Sequence, residues 1–237
     1  MTNALSDRKK ESYKIFDEIA GTYDFLNHFL SLGIDIYWRK KFLKNLPNTI
    51  SINALDLATG TGDVALTLVQ DQRVKKVTGI DMSEGMIKLG LEKVKNKKLE
   101  KKIILLKGDG VHIPCADNVF DVTTISFGIR NFSDPALSLQ NIHRVLKTNG
   151  RVMIMEFSIP ENFLIRSFYF FYFRNILPFI GNLFSKHKDA YTYLNQTVED
   201  FPYGKDFLIL MKNAGFTNLK HTPLTFGIAT LYVGDKK

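Results

Sequence analysis

The 237-residue sequence predicts an α/β protein built on a mostly parallel sheet with helices on both faces. Three observations predict it. Between Ser51 and Ser158, short apolar runs alternate with longer segments of helical periodicity. The first of those runs leads into a glycine loop, "DLATGTGD" at Asp56 to Asp63. The chain then closes on two strand-like runs, "FTNLKHTPL" and "FGIATLYVG", which read as an antiparallel pair.

In chain order, "SYKIFDEIAGTYDFLNHFLSLGIDIYWRKKFL" (Ser12 to Leu43) reads as helical, with Ile15, Ile19, Tyr23, Leu26 and Leu30 at three-to-four spacing. It forms a helical N-terminal cover within residues 1–50. The core at 51–158 alternates "INALDLA" with "DVALTLVQ", "VTGID" with "EGMIKLGLEKV", then "IILLKGD", "FDVTTISFG" with "PALSLQNIHRVL", and "GRVMIMEFS". Such alternation implies βαβ units, and ligands of such sheets bind at the carboxyl ends of the strands. Residues 159–237 add an aromatic segment, a helical "KDFLILMKNAG" and the closing strands. With no repeat, low-complexity tract or long linker, residues 1–237 read as one domain.

Composition narrows the classes. A hydrophobic fraction of 45% and a charged fraction of 24% are globular averages, against wholesale disorder and a membrane bundle. The one cysteine, Cys115, rules out an internal disulfide and suits a reducing compartment. "MTNALSDRKKESYK" has no signal-type apolar core, so a cytoplasmic location is expected. The most apolar stretch, Phe163 to Phe184, is interrupted by Arg166, Arg174, Asn175 and Pro178. A spanning helix needs about 20 mostly apolar residues, so this stretch does not read as one. Lys and Arg outnumber Asp and Glu 32 to 24, a charge of +8 that suits nucleic acid, anionic lipid or an acidic ligand. The run Lys93 to Lys102 holds much of it and reads as a solvated helix end.

Gly60, Gly62 and Ala65 fit G-x-G-x-x-A at a strand-to-helix turn, which suits a dinucleotide, a methyl donor or a plain turn. The acids around it discriminate. Asp56 on the strand and Asp63 on the helix's first turn would compete with a pyrophosphate for the positive helix end. A cationic ligand welcomes them, and S-adenosylmethionine carries a sulfonium and an ammonium. The second strand ends in "GIDMS", placing Asp81, followed by Met82, about 20 residues past the glycines, where an acid accepts from ribose hydroxyls. The third ends in "KGDG", so Asp109, beside Gly110, is placed to accept from an adenine amino group.

The layout resembles the class I S-adenosylmethionine-dependent methyltransferases. The resemblance implies a Rossmann-like, mostly parallel seven-stranded sheet with an antiparallel C-terminal strand and a helical N-terminal cover. It also implies that Gly60, Thr61 and Gly62 line the donor's methionine part, that Asp81 takes the ribose, and that Asp109 with Gly110 brackets the adenine. Asp56, Met82 and Ser126 join them as donor-site candidates, and no metal is implied.

For the acceptor, "IPC" at Ile113 to Cys115 precedes the fourth strand, whereas the Pro-Cys nucleophile of RNA cytosine methyltransferases belongs at its end; Cys115 reads as a small apolar residue. The fourth strand ends in "SFGIRN" instead, Ser126 to Asn131. With "DEIAGTYDFLNHFLSLGIDIYW", "DLATGTGD", "RVLKTNGRVMIMEFS", "FPYGKDFLILMKNAGF" and "PLTFGIATLYVG", the chain from Tyr13 to its end resembles the ubiquinone and menaquinone biosynthesis C-methyltransferase family. That family usually has His at Asp35 and Pro-Gly or Val-Gly at Thr148 and Asn149. The resemblance implies methylation of a ring carbon of a polyprenyl quinol in menaquinone or ubiquinone biosynthesis: demethylmenaquinol foremost, a methoxy-polyprenyl-benzoquinol, or both. A methyltransferase for another lipid or aromatic acceptor, and a non-catalytic donor-binding protein, are the alternatives.

A ring carbon attacks a sulfonium methyl well when an adjacent hydroxyl is ionised. Ionising a phenol of pKa about 10 near neutrality takes about three units, or about 4 kcal/mol. A cation about 4 Å away contributes a similar amount at an effective dielectric of about 20. Arg130 is therefore the candidate phenolate stabiliser, with Asn131 as orienter. Arginine does not act as a base, so a water or a carboxylate takes the proton; Asp24, with Tyr23 beside it, is the candidate. The aromatic run Phe168 to Phe173 and "ILPFIGNLF" suits a channel for the prenyl tail or rest on a membrane surface, with Arg166, Arg174, Lys186 and Lys188 toward anionic headgroups. Expected partners are thus the quinol and membrane lipid at the inner face, with no nucleic acid; a homodimer is compatible with this reading.

Overall fold

A computed structural model describes residues 13, 14, 17, 20, 21, 31, 33–176 and 197–237. These form a seven-stranded sheet in the order β3-β2-β1-β4-β5-β7-β6. The strands are β1 (Ile52–Leu57), β2 (Val74–Asp81), β3 (Ile103–Lys107), β4 (Phe120–Ser126), β5 (Leu146–Phe157), β6 (Thr217–Leu224) and β7 (Ala229–Asp235). The first five pair in parallel, and β7 runs antiparallel to both β5 and β6. After β1 the chain builds outward to β3, then returns to lay β4 on the other side of β1. That reversal opens a crevice at the carboxyl ends of β1 and β4, where such sheets bind ligands.

Helices α1 (Ile34–Asn45), α2 (Asp63–Leu68), α3 (Glu84–Asn96), α4 (Pro135–Val145), α5 (Phe163–Phe171) and α6 (Lys205–Asn213) connect or flank the strands. One apolar cluster joins α1, α2 and α3 to one face of the sheet through residues such as Phe42, Leu68, Val77 and Met153. A second fills the other face with Leu139, Ile142, Phe207, Met211 and Tyr232. Strands covered on both faces bury nearly every position, and the polar Asp56 of β1 and Thr124 of β4 bond each other inside the sheet.

Asn149 takes a left-handed φ of 63°, as its turn requires. The helical pattern read from Ser12 to Leu43 is interrupted: Gly33, at φ 75°, precedes a fresh start of α1 at Ile34. The apolar spacing runs through that glycine, so periodicity alone conceals the break. Asp35, on the first turn of α1, is buried, accepts from Ser31 Oγ at 2.7 Å and pairs with Arg39 at 2.6 Å. No described helix is long and apolar enough to cross a membrane.

Candidate active site

The glycine loop lies where β1 enters α2. Gly60 and Gly62 take φ of 56° and 84°, conformations a side chain would strain, and Gly62 stands at the start of α2. The loop is held by acids. Asp81, ending β2, accepts from the Gly60 N–H at 2.8 Å with Oδ2 and from the Ser83 N–H at 2.9 Å with Oδ1. Burial pushes its carboxyl up, opposed by those hydrogen bonds. Asp56 lies beneath the loop, 1% exposed, with Thr59 Oγ1 and Thr124 Oγ1 each donating to it at 2.6 Å. Burial raises the Asp56 carboxyl to about 7, against the two threonine hydrogen bonds and helped by the charges of Asp81 and Asp63. Asp63 is the first residue of α2 and pairs with Lys93 at 2.7 Å and Arg39 at 3.4 Å.

A cavity of about 180 Å³ opens at the carboxyl ends of these strands. Its wall includes Gly60, Asp81, Met82, Asp109, Gly110, Ser126 and Asn131. Seven residues singled out from the sequence therefore meet around one space. Asp56, Thr61 and Gly62 stand behind that wall, shaping the loop; Thr61 Oγ1 accepts from Lys93 Nζ at 2.8 Å. Tyr23 and Asp24 lie outside the described residues, as do Lys186 and Lys188.

The β4 end is strained and incompletely bonded. Phe127 holds a left-handed φ of 56°, uncommon for a bulky residue, wedged between Phe157 and Trp38 with ring centroids 4.4 and 5.7 Å away. The buried Ser126 Oγ and Asn131 Oδ1 have no hydrogen-bond partner among the described residues, yet both residues line the cavity. Buried polar atoms are rarely left so, and such a pair at a cavity wall points to a ligand. Opposite, Phe132 lies so close over Gly110 that any Cβ there would collide with its ring. A flat apolar surface, two orphan polar atoms and carboxylates at the strand ends suit a purine nucleoside with a positive tail, which is what S-adenosylmethionine offers.

Arg130 departs from its expected place. It is not on the cavity wall; its side chain is 6% exposed and its Nη1 donates to Glu156 Oε1 at 2.7 Å and to the Phe127 carbonyl at 2.5 Å. The candidate phenolate stabiliser is thus one half of a buried ion pair. The reason is the sheet register: β4 and β5 pair Ser126 with Met155, which sets the turn after β4 over Glu156. An unpaired guanidinium there would bear the full desolvation cost, and Glu156 removes it. Phe157 adds a ring face 5.3 Å from the guanidinium, and Nε stays without a hydrogen-bond partner among the described residues. Tyr169 of α5 packs beside the pair, and burial pushes its phenol up despite the pull of Arg130, so it stays protonated.

Sequence reasoning missed Glu156, although an acid inside the apolar run "MIMEF" is itself the signal of a buried partner. It missed Tyr13 on the cavity wall, for which the string carries no local mark. Cys115 is half-buried, and burial pushes its thiol up, which suits the inert role read for it.

The fold is that of the class I S-adenosylmethionine-dependent methyltransferases. A solved S-adenosylmethionine-dependent methyltransferase from Thermotoga maritima superimposes with a TM-score of 0.66 at 20% identity, covering 95% of this chain and 99% of that one. One from Aquifex aeolicus gives 0.60 at 19%, covering 84% and 89%. The particular family follows from the sequence: residues 2–236 match the model of the ubiE/COQ5 methyltransferase family, and the chain belongs to it. Relatives include the ubiquinone/menaquinone biosynthesis C-methyltransferase UbiE of Geotalea uraniireducens, 45% identical over 98% of this chain and 99% of that one. The demethylmenaquinone methyltransferase of Bacteroides fragilis is 41% identical over 98% and 95%.

Proposed function

We propose that the chain transfers a methyl group from S-adenosylmethionine to a ring carbon of a polyprenyl quinol, with demethylmenaquinol as the foremost acceptor. The observation that carries this reading is the coincidence of a full-length family match with a cavity whose acids and orphan polar atoms suit that donor. When bound, the donor supplies an electrophilic methyl on a sulfonium. Gly60 and the carboxylates of Asp81 and Asp109 hold and orient the donor. Asn131 Oδ1 accepts a hydrogen bond from the quinol's other hydroxyl, the one that stays protonated, and aligns the ring.

Arg130 acts from behind the wall. Its pairing with Glu156 cuts its net field, so the phenolate receives less than the about 4 kcal/mol a lone cation gives at about 4 Å. What the pair supplies instead is a fixed dipole whose positive end is locked in place, the preorganised arrangement that serves developing charge. A water or a carboxylate takes the ring proton.

Membrane contact belongs to the same proposal. Phe163, Leu164, Phe168 and Phe171 of α5 are 59–76% exposed, with Arg166 among them, whereas Arg174, expected toward headgroups, lies past the helix end and pairs with Glu199 at 3.0 Å. Such a face suits the surface where a prenylated substrate resides. The test is transfer of labelled methyl from the donor to a panel of prenylated quinols, with and without anionic vesicles. Methylation of quinols alone supports the proposal; no transfer to any of them overturns it.

A further inference from the structure

One cavity-lining side chain comes from far upstream of the glycine loop and strand ends: Tyr13. Tyr13 and Asp17 are helical positions four apart. Asp17 is bound to the start of α3, its Oδ1 accepting from Ser83 Oγ at 2.5 Å and from the Gly85 N–H at 2.9 Å. Ser83 is the fully buried N-cap of α3, and its Oγ also accepts from the Met86 N–H at 3.1 Å. One hydroxyl therefore caps the helix and grips the carboxylate, which gains further from the unsatisfied N–H groups and the positive helix end.

The helix surface is cut to receive this segment. A Cβ at Gly85 would come within 3.3 Å of Asp17 Oδ1 and 3.4 Å of the buried Ala20 Cβ, so a side chain there would push the Asp17 carboxylate back by a few tenths of an ångström. The contact also continues into the site. The Ser83 N–H donates to Asp81 Oδ1, and Asp81 Oδ2 accepts from the Gly60 N–H. Asp17, Ser83, Asp81 and Gly60 thus form an unbroken chain of hydrogen bonds from the N-terminal segment to the glycine loop.

We propose that Tyr13 is a donor-contacting residue and that Asp17 is the positioning residue that seats it, by fastening the N-terminal segment to Ser83 and Gly85. The proposal rests on reading the cavity as the donor site. Tyr13 adds an aromatic ring to a wall that also holds Ile80, Met82 and Met86, the kind of surface on which a purine packs.

The test uses the full chain and S-adenosylhomocysteine, titrated by calorimetry, with donor KM and kcat measured alongside. Tyr13→Ala and Asp17→Ala should each weaken binding about tenfold, the scale of one lost aromatic–base contact. Asp17→Ala should raise donor KM more than it lowers kcat. The double variant should lose no more than about twofold beyond the weaker single variant, because Asp17 acts through Tyr13. Gly85→Ala raises helix propensity yet crowds Asp17, and should weaken binding by about two- to fivefold without lowering Tm. Affinities of Asp17→Ala and Gly85→Ala within about twofold of the unaltered protein, or single losses that multiply in the double variant, would overturn the proposal. So would a lowered Tm in Asp17→Ala with donor KM unchanged. Failure of the unaltered protein to bind the product would instead overturn the donor-site reading on which the proposal stands.

Discussion

The two sides of the cavity satisfy their charges by different means. On the β2 and β3 side, Asp81 and Asp109 each accept an N–H from two residues further on, at Ser83 and Val111. On the β4 and β5 side, Arg130 is met by Glu156, 26 residues away on the next strand. The acids are placed by their own turns; the arginine is placed by strand register. The first kind of site survives changes elsewhere in the sheet, whereas the second exists only when β4 and β5 are correctly paired.

The largest expected effect breaks the register-made pair. Glu156→Ala leaves Arg130 buried without its counter-charge, and should cost about 3–5 kcal/mol in denaturant unfolding. Glu156→Gln keeps an acceptor and should cost less. If both variants unfold within about 1 kcal/mol of the unaltered protein, the pair is not structural in the sense argued. Arg130→Ala should lower turnover far more than donor affinity, since the arginine stands off the cavity wall; equal losses in both would assign it to architecture alone.

Next in size is the locally made side. Asp81→Ala orphans the N–H groups of Gly60 and Ser83, and should weaken donor binding by about 30- to 100-fold, equivalent to about 2–3 kcal/mol. A loss confined to stability, with donor affinity intact, would show that the turn holds without its acid.

Asp56 gives the pH dependence. Its folded pKa of about 7 lies above the ordinary carboxylate value, so the fold favours the protonated form. Stability is therefore lost as pH rises from about 4 through about 7, and is level beyond. A cationic donor favours the ionised form, so its affinity should rise several-fold as pH climbs through about 7, with proton release on binding below that. Calorimetry in buffers of different ionisation enthalpy measures the release. Asp56→Asn should flatten the pH profile; an unchanged profile would detach this group from donor binding.

The smallest effect on stability sharpens the comparison most. Asn131→Ala removes an orphan acceptor, so unfolding free energy should change by less than about 1 kcal/mol. Turnover should nonetheless fall, since the lost atom serves the ligand. A stability loss with unaltered turnover would mean that Asn131 Oδ1 has a structural partner after all.

What was legible in the sequence follows the same division. The alternating core, the glycine loop, the acids at the strand ends and the closing antiparallel pair are all local strings, and each lies where its string places it. The break at Gly33 was hidden by apolar spacing that continues across it. Arg130 was correctly located at the end of β4, but its direction was set by an acid on β5. Tyr13 and Asp17 were unreadable for a similar reason: their seat is 66 residues downstream, at Ser83. Contacts between distant segments leave no periodicity behind, and only an oddity such as an acid within "MIMEF" hints at them.

The most direct test of the central claim is the position of the transferred methyl group. The protein is incubated with carbon-labelled S-adenosylmethionine and a short-chain demethylmenaquinol, and the product is examined by mass spectrometry and carbon NMR. The account predicts one labelled methyl on the quinol ring carbon. Label on a hydroxyl oxygen, or no transfer by protein that binds the donor, would contradict it.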